Sequence, residues 1–156
     1  MKMGALLLAV LALGACQDEP PPEWQEVAEQ AANRRTAERA EALYDSTAYD
    51  TVSWRGSYSR GERGRVVFDH SCADCHGEDG RGGGPLAVEE GLEVGSLVAS
   101  GWVYDGDVPA LRRRIFTGHG PGMPAWGLTE LSPRDVDAVA YFVDERLPER
   151  AGGEEP

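Results

Sequence analysis

The chain has 156 residues, 41% hydrophobic and 27% charged, with 15 Lys+Arg against 27 Asp+Glu and a net charge of −12. That length suits one ordinary domain with extensions, and the acidity excludes nucleic acid as the main partner, because phosphate binding needs a basic face. Twenty glycines and ten prolines without a period exclude a collagen-like chain, and cysteines only at 16, 72 and 75, two of them three apart, do not make a disulfide scaffold.

Residues 1–16 read MKMGALLLAVLALGAC. Lys2 gives a positive start, and Ala5 to Leu13 is an unbroken apolar run of nine residues. A bilayer-spanning helix needs about 20 residues, whereas this run fits the hydrophobic region of a secretory signal peptide. It ends in Leu13-Gly14-Ala15-Cys16, which resembles the lipobox of bacterial lipoproteins. The resemblance implies that residues 1–15 are removed, that Cys16 becomes a lipidated amino terminus, and that the chain sits on the periplasmic side of a bacterial membrane. An ordinary signal peptide with an incidental cysteine is the alternative. Gln17, where enterobacterial lipoproteins retained in the inner membrane carry Asp, leans towards the outer membrane. Two or three acyl chains would anchor the protein stably, where one binds only marginally.

The spacer QDEPPPE (17–23) is extended and solvated by composition. A helix follows over 24–44, rich in Ala, Glu, Gln and Arg and free of Gly and Pro. Its apolar stripe is thin, as in a solvated spacer; packing on the domain or on a partner is the alternative. Residues 45–60 have turn formers and no period and read as linker, and residues 16–57 are assigned to a lipid-anchored leash. A domain is expected over 58–150, and the tail 151–156 is expected to be disordered.

Cys72-Ala73-Asp74-Cys75-His76 is a CxxCH sequence. Two thiols three apart on a helical turn can add to the two vinyl groups of one haem, and the adjacent His76 then lies under the iron as an axial ligand. A thioredoxin-like redox pair would need a βαβ pattern, which is missing, and a zinc site would need a second Cys pair. Export across a membrane also suits covalent haem attachment. Five glycines in HGEDGRGGGP (76–85) predict a loop able to bend round a flat macrocycle. A helix is predicted over 132–147, with Ser132 as N-cap, Pro133 in the first turn and a stripe of Val136, Val139, Ala140, Val143 and Leu147.

Once residues 1–15 are removed, three candidates are left for the second axial ligand: His70, His119 and Met123. His70 lies two residues before Cys72, too short a tether to reach the opposite haem face. His119 and Met123 share a Gly/Pro-rich loop, and Pro124 restricts Met123 to extended geometry. A thioether stabilises ferrous iron, and Met123 is the expected ligand. Trp102, Tyr104 and Trp126 either line the haem or fill the core. Arg112, Arg113 and Arg114 point to different sides of a helix, so at most one or two could meet haem propionates, and a solvated basic surface is the expected role. Asp79, Glu89, Glu90 and Glu93 read as acidic surface, and Glu78–Asp79 is not a catalytic pair.

From about 58 to 148 the chain resembles a class I monohaem cytochrome c domain. Gly64 and Phe68, eight and four residues before Cys72, match that family's first helix, and Tyr141 stands in a similar context in its last. Gly84-Pro85-Leu86 matches the family's Gly-Pro-Leu, and IFTGHGPGMPAWG (115–127) resembles the sixth-ligand loop of small bacterial cytochromes and of cytochrome subunits of terminal oxidases. The resemblance implies an all-α fold round one covalent haem c held by Cys72, Cys75, His76 and Met123. It also implies that the Pro85 carbonyl accepts the N–H of the His76 imidazole, which would fix the ring.

The function expected from these features is one-electron transfer by a membrane-tethered carrier, with no catalysis because both axial positions are filled. The alternatives are a haem c subunit of a respiratory or dehydrogenase complex, and a haem enzyme with an open sixth site. Residues 58–156 carry 10 Arg, no Lys and 18 acidic residues, a net of −8. Partners should be redox proteins with a basic or apolar docking face.

Overall fold

The computed structural model describes residues 21–119 and 122–152; Cys16 and the rest of the amino-terminal stretch lie outside them. The regular structure is helical: α1 Pro22–Leu43, α2 Ser57–Ser71, α3 Ala73–His76, α4 Pro85–Glu89, α5 Val108–Thr117, α6 Pro133–Glu145 and α7 Leu147–Gly152, with 3-10 turns at Ser46–Tyr49 and Trp126–Leu128. Among the described residues the only β pairing is one isolated bridge, between His119 and Met123. The fold is all-α, as the sequence predicts.

Helix α6 organises the core. The Ser132 hydroxyl accepts the Asp135 N–H while the Asp135 carboxylate accepts the Ser132 N–H, a reciprocal cap, and Pro133 opens the helix. Val136, Val139, Ala140 and Val143 are buried, and Leu147 continues their stripe into α7. Helix α2 packs along this face through Gly61, Gly64, Val67 and Phe68, its buried residues. Gly64 sets the closeness of the crossing: a Cβ there would lie 2.5 Å from the Cβ of Phe142 and closer still to the Ala138 carbonyl. The aromatic residue over Gly64 is therefore Phe142, whose ring also meets that of Phe68 at 5.5 Å. Tyr141, one residue round the helix, lies beside Gly61 instead, with the Arg60 guanidinium 4.4 Å from its ring centroid.

The segment expected as linker, 45–60, is packed on the domain, and its last four residues already belong to α2. Asp45 caps the first 3-10 turn by accepting the Thr47 N–H at 2.8 Å, and Tyr49 at the end of that turn is buried. Further on, the Trp54 indole N–H donates to Asp137 Oδ2 at 2.7 Å. Asp137 is 2% exposed on α6 and takes three more bonds: two from Arg60 of α2, at 2.9 and 2.8 Å, and one from Arg112 of α5. A carboxylate buried alone would be very costly; here two guanidiniums and an indole satisfy it. The cluster joins the 45–56 segment, α2, α5 and α6 at one point.

Helix α1 occupies the predicted position. Its first turns are solvated, with Trp24 and Val27 about two-thirds exposed, whereas Ala40 in its last turns is buried. There Arg113 of α5 donates to the Glu41 carboxylate at 2.6 and 3.0 Å. The three consecutive arginines thus have separate environments, and only Arg113 lies on the solvated surface expected for them. Arg112 binds Asp137 and Arg113 binds Glu41; Arg114 is taken up below.

Candidate functional site

Cys72 ends α2 and opens α3. Its N–H donates to the Phe68 carbonyl at 2.9 Å, and its own carbonyl accepts the N–H groups of Cys75 at 3.1 Å and His76 at 2.9 Å. That single helical turn presents positions i, i+3 and i+4 on one side. Cys72, Cys75 and His76 all line one cavity of about 680 Å³, within the range of cofactor sites. Phe68, Val139 and Val143 wall it from α2 and α6, Leu111 and Ile115 from α5.

Met123 reaches the same cavity from a different part of the chain. Helix α5 ends at Gly118 with φ +67, which favours glycine, and a Cβ there would come within 2.6 Å of the Met123 carbonyl oxygen. The next residue, His119, donates its N–H to that same carbonyl at 3.2 Å. His119 and Met123 are thus paired antiparallel, and Met123, half-buried, lines the cavity. His119 lines the cavity too, being the residue paired with Met123 across the bridge. His70 is exposed on α2 and is not among the lining residues, in keeping with its short tether to Cys72.

The glycine loop 77–84 does not wrap the cavity as expected. It folds behind the Cys72–His76 turn, where the Gly82 N–H donates to the His76 carbonyl at 2.8 Å and the Gly84 N–H to that of Cys75 at 3.1 Å. A Cβ on Gly84 would lie 2.6 Å from the Ala73 carbonyl oxygen, so glycine permits this close backing. The lining on that side comes from residues 91–97, tied to the loop by Leu97 N–H to Gly80 O at 2.8 Å. GLEVGSL has no helical period and few chemical groups, and nothing in the sequence marks it as lining. Glu89 and Glu90 are exposed as expected; Glu93, also exposed, stands at the cavity edge. Trp102, Tyr104 and Trp126 all line the cavity, so of the two roles open to them the position is beside the site.

Burial pushes the Cys72 thiol up to about 12, with Cys75 adding a smaller push. Cys75 is also raised, by burial and then by Asp74. Both thiols are protonated near neutral pH. Thiol–disulfide exchange needs the opposite shift, so the pair is not tuned as a redox dithiol. Burial lowers the His76 pKa, with His119 adding to it, which keeps the imidazole neutral and able to ligate a metal. Its Nδ1 is buried without a hydrogen-bond partner. The bond to the Pro85 carbonyl implied by the family resemblance is therefore not made in this structure. Pro85 is the first residue of α4, where a carbonyl is directed along the helix axis. A mainly apolar cavity lined by two neutral thiols, an orphaned imidazole on the same turn and a thioether from another element fits a haem c.

The family described as cytochrome c oxidase, cbb3-type, subunit III matches residues 59–143. The chain belongs to this family. Its c-type cytochrome domain coincides with the region that the CxxCH and its flanks mark out. Among curated proteins, the cbb3-type cytochrome c oxidase subunit CcoP of Azospirillum brasilense is 40% identical over 84 residues, 53% of this chain and 27% of the relative. Subunit FixP of Azorhizobium caulinodans is 34% identical over 88 residues, covering 56% and 28%. A CcoP of Rhodobacter capsulatus is 37% identical over 86 residues, covering 51% and 27%. The chain thus spans little more than a quarter of these relatives' length. No solved structure gave a match. Among the described residues, no helix of this cbb3 subunit III family member is long and apolar enough to cross a membrane.

Proposed function

We propose that the chain is a haem c electron-transfer subunit working with a respiratory oxidase complex, and that it holds one haem. The observation that carries this reading is the convergence of Cys72, Cys75, His76 and Met123 on one cavity within the family-matched region. Bound haem supplies a one-electron redox centre. Cys72 and Cys75 would fix it by thioethers from one helical turn, and His76 would ligate the iron from the same turn. Met123 would take the other axial position from the returning loop, which leaves no position for a substrate. Pro85 is the proposed acceptor for the His76 Nδ1–H once the imidazole is ligated. The mainly apolar wall would limit water around a bound haem, and solvent access is one control on its potential. A partner would dock through basic or apolar groups, since residues 58–156 carry a net −8 and Val88 and Val103 are among the exposed large apolar residues.

Two measurements test this. Mass spectrometry of protein made with haem-maturation machinery should show one adduct of about 616 Da, the mass of one haem b; Cys72→Ala with Cys75→Ala should lose it. Gentle detergent extraction should recover the chain in constant ratio with oxidase subunits. Free recovery would favour the tethered-carrier reading, which the solvated first turns of α1 support as a leash.

The domain layout proposed with this function is a signal peptide at 1–15, a leash from Cys16 into α1, the cytochrome domain, and a short tail. Lipidation of Cys16 holds the chain at the periplasmic face. Cys16→Ser should release the protein from the membrane fraction or leave an uncleaved precursor, read by fractionation and intact mass. A processed variant still bound to membranes would overturn the lipobox reading.

A further inference from the structure

The three consecutive arginines of α5 separate by direction. Arg112 donates to the buried Asp137 and Arg113 to Glu41. Arg114 lies one turn after Leu111 on the same side of the helix, and with Leu111 and Ile115 it lines the cavity. It is half-buried, beside His119, whose pKa it helps to lower. Among the described residues no ion pair or hydrogen bond engages its guanidinium. A half-buried cation facing a cavity whose walls are mainly apolar, with no ion pair of its own, calls for an anion on the occupant.

We infer that Arg114 holds a propionate carboxylate of the bound haem. This rests on the haem reading of the cavity. A guanidinium donates two parallel bonds to a carboxylate, so the pair is geometric as well as electrostatic. Its consequence is a raised reduction potential. A propionate left unpaired stabilises the more positive ferric iron, and Arg114 cancels that charge. Arg114 is a binding residue for the cofactor, and its loss should not disturb the axial ligands.

The test uses the full chain, matured with haem. Arg114→Gln keeps the length and removes the charge; Arg114→Lys keeps the charge. Arg113→Gln, outside the cavity, is the control. The expected result is one haem adduct in every variant with unchanged axial-ligand bands. Arg114→Gln should make the haem on the order of tenfold harder to reduce against a reference couple, about 59 mV for one electron. Arg114→Lys should restore the wild-type value to within about threefold. Arg113→Gln should stay within about twofold of wild type, as an exposed, salt-screened charge would. A shift below twofold in Arg114→Gln, or an equal shift in the Lys variant, overturns the assignment. If neither variant loads haem, a crystal structure of the wild-type holoprotein decides: a guanidinium nitrogen within about 3.2 Å of a propionate oxygen supports the pair, and a longer separation refutes it. A wild-type protein without a haem adduct refutes the haem reading itself, which is a separate outcome.

Discussion

Met123→Ala abolishes the weak absorption at about 695 nm that marks a thioether on ferric low-spin haem, and lowers the reduction potential. The fall should be on the order of 0.1–0.2 V, within the roughly 0.8 V over which axial ligands move haem potentials. The geometry behind this expectation is the antiparallel pairing of His119 with Met123. Gly118 lets the Met123 carbonyl approach the end of α5, and the His119 N–H holds it there. The same pairing creates a complication that the sequence does not reveal. Residues directly opposite in an antiparallel bridge have side chains on one face, and His119 and Met123 both line the cavity. In Met123→Ala the His119 imidazole is the nearest replacement ligand, and burial and Arg114 lower its pKa towards the neutral form that ligates. The single variant should therefore bind CO only in part, and Met123→Ala combined with His119→Ala should bind it fully. The potential falls in both. A wild-type protein that already lacks the band and binds CO readily has an open sixth site, and the electron-transfer reading then yields to a haem enzyme or sensor.

The site was legible wherever chemistry is local in sequence. CxxCH fixes three groups on one helical turn because i, i+3 and i+4 share a face. The cap at Ser132 and the stripe from Val136 to Leu147 place α6 for the same reason, since both follow from a 3.6-residue period. What could not be read depends on long-range partners. Arg112 differs from Arg113 and Arg114 only through the residues that other elements bring to it. Asp137 falls within an apolar stretch and carries no sequence signal of its own, and its partner Trp54 is 83 residues away. The glycine loop was assigned to the wrong side because glycine licenses close approach without saying to what. Here the close neighbour is the backbone of the Cys72–His76 turn rather than the cavity. Gly64 marks the crossing of α2 with α6, and the aromatic residue it meets there is Phe142 rather than the neighbouring Tyr141, because one position rotates a helix face by about 100°.

Asp137→Ala should destabilise the folded chain by about 3–5 kcal/mol, the usual cost of removing one partner from a buried ion cluster. The carboxylate accepts from Arg60, Arg112 and Trp54, and its loss leaves two guanidiniums and an indole N–H facing one another. Arg112 is the worst placed of the three, because its Nε is already buried without a partner. At about 4–8 °C per kcal/mol for a domain of 60–100 residues, the melting temperature should fall by roughly 12–40 °C. The damage should begin where the cluster is thinnest. The 45–56 segment is held by Trp54 and Tyr49, so Trp54 fluorescence should report loosening before the helical signal is lost. Asp137→Asn keeps acceptor capacity but not charge, and should fall between wild type and the alanine variant. Neither Asp137, Arg60 nor Trp54 lines the cavity. The variants that still fold should therefore keep the absorption at about 695 nm and the wild-type potential. A loss of less than about 1 kcal/mol would place the cluster with ordinary surface ion pairs. An intact fold with a shifted potential would instead connect Asp137 to the haem site, through Arg112 and its neighbour Arg114 on α5.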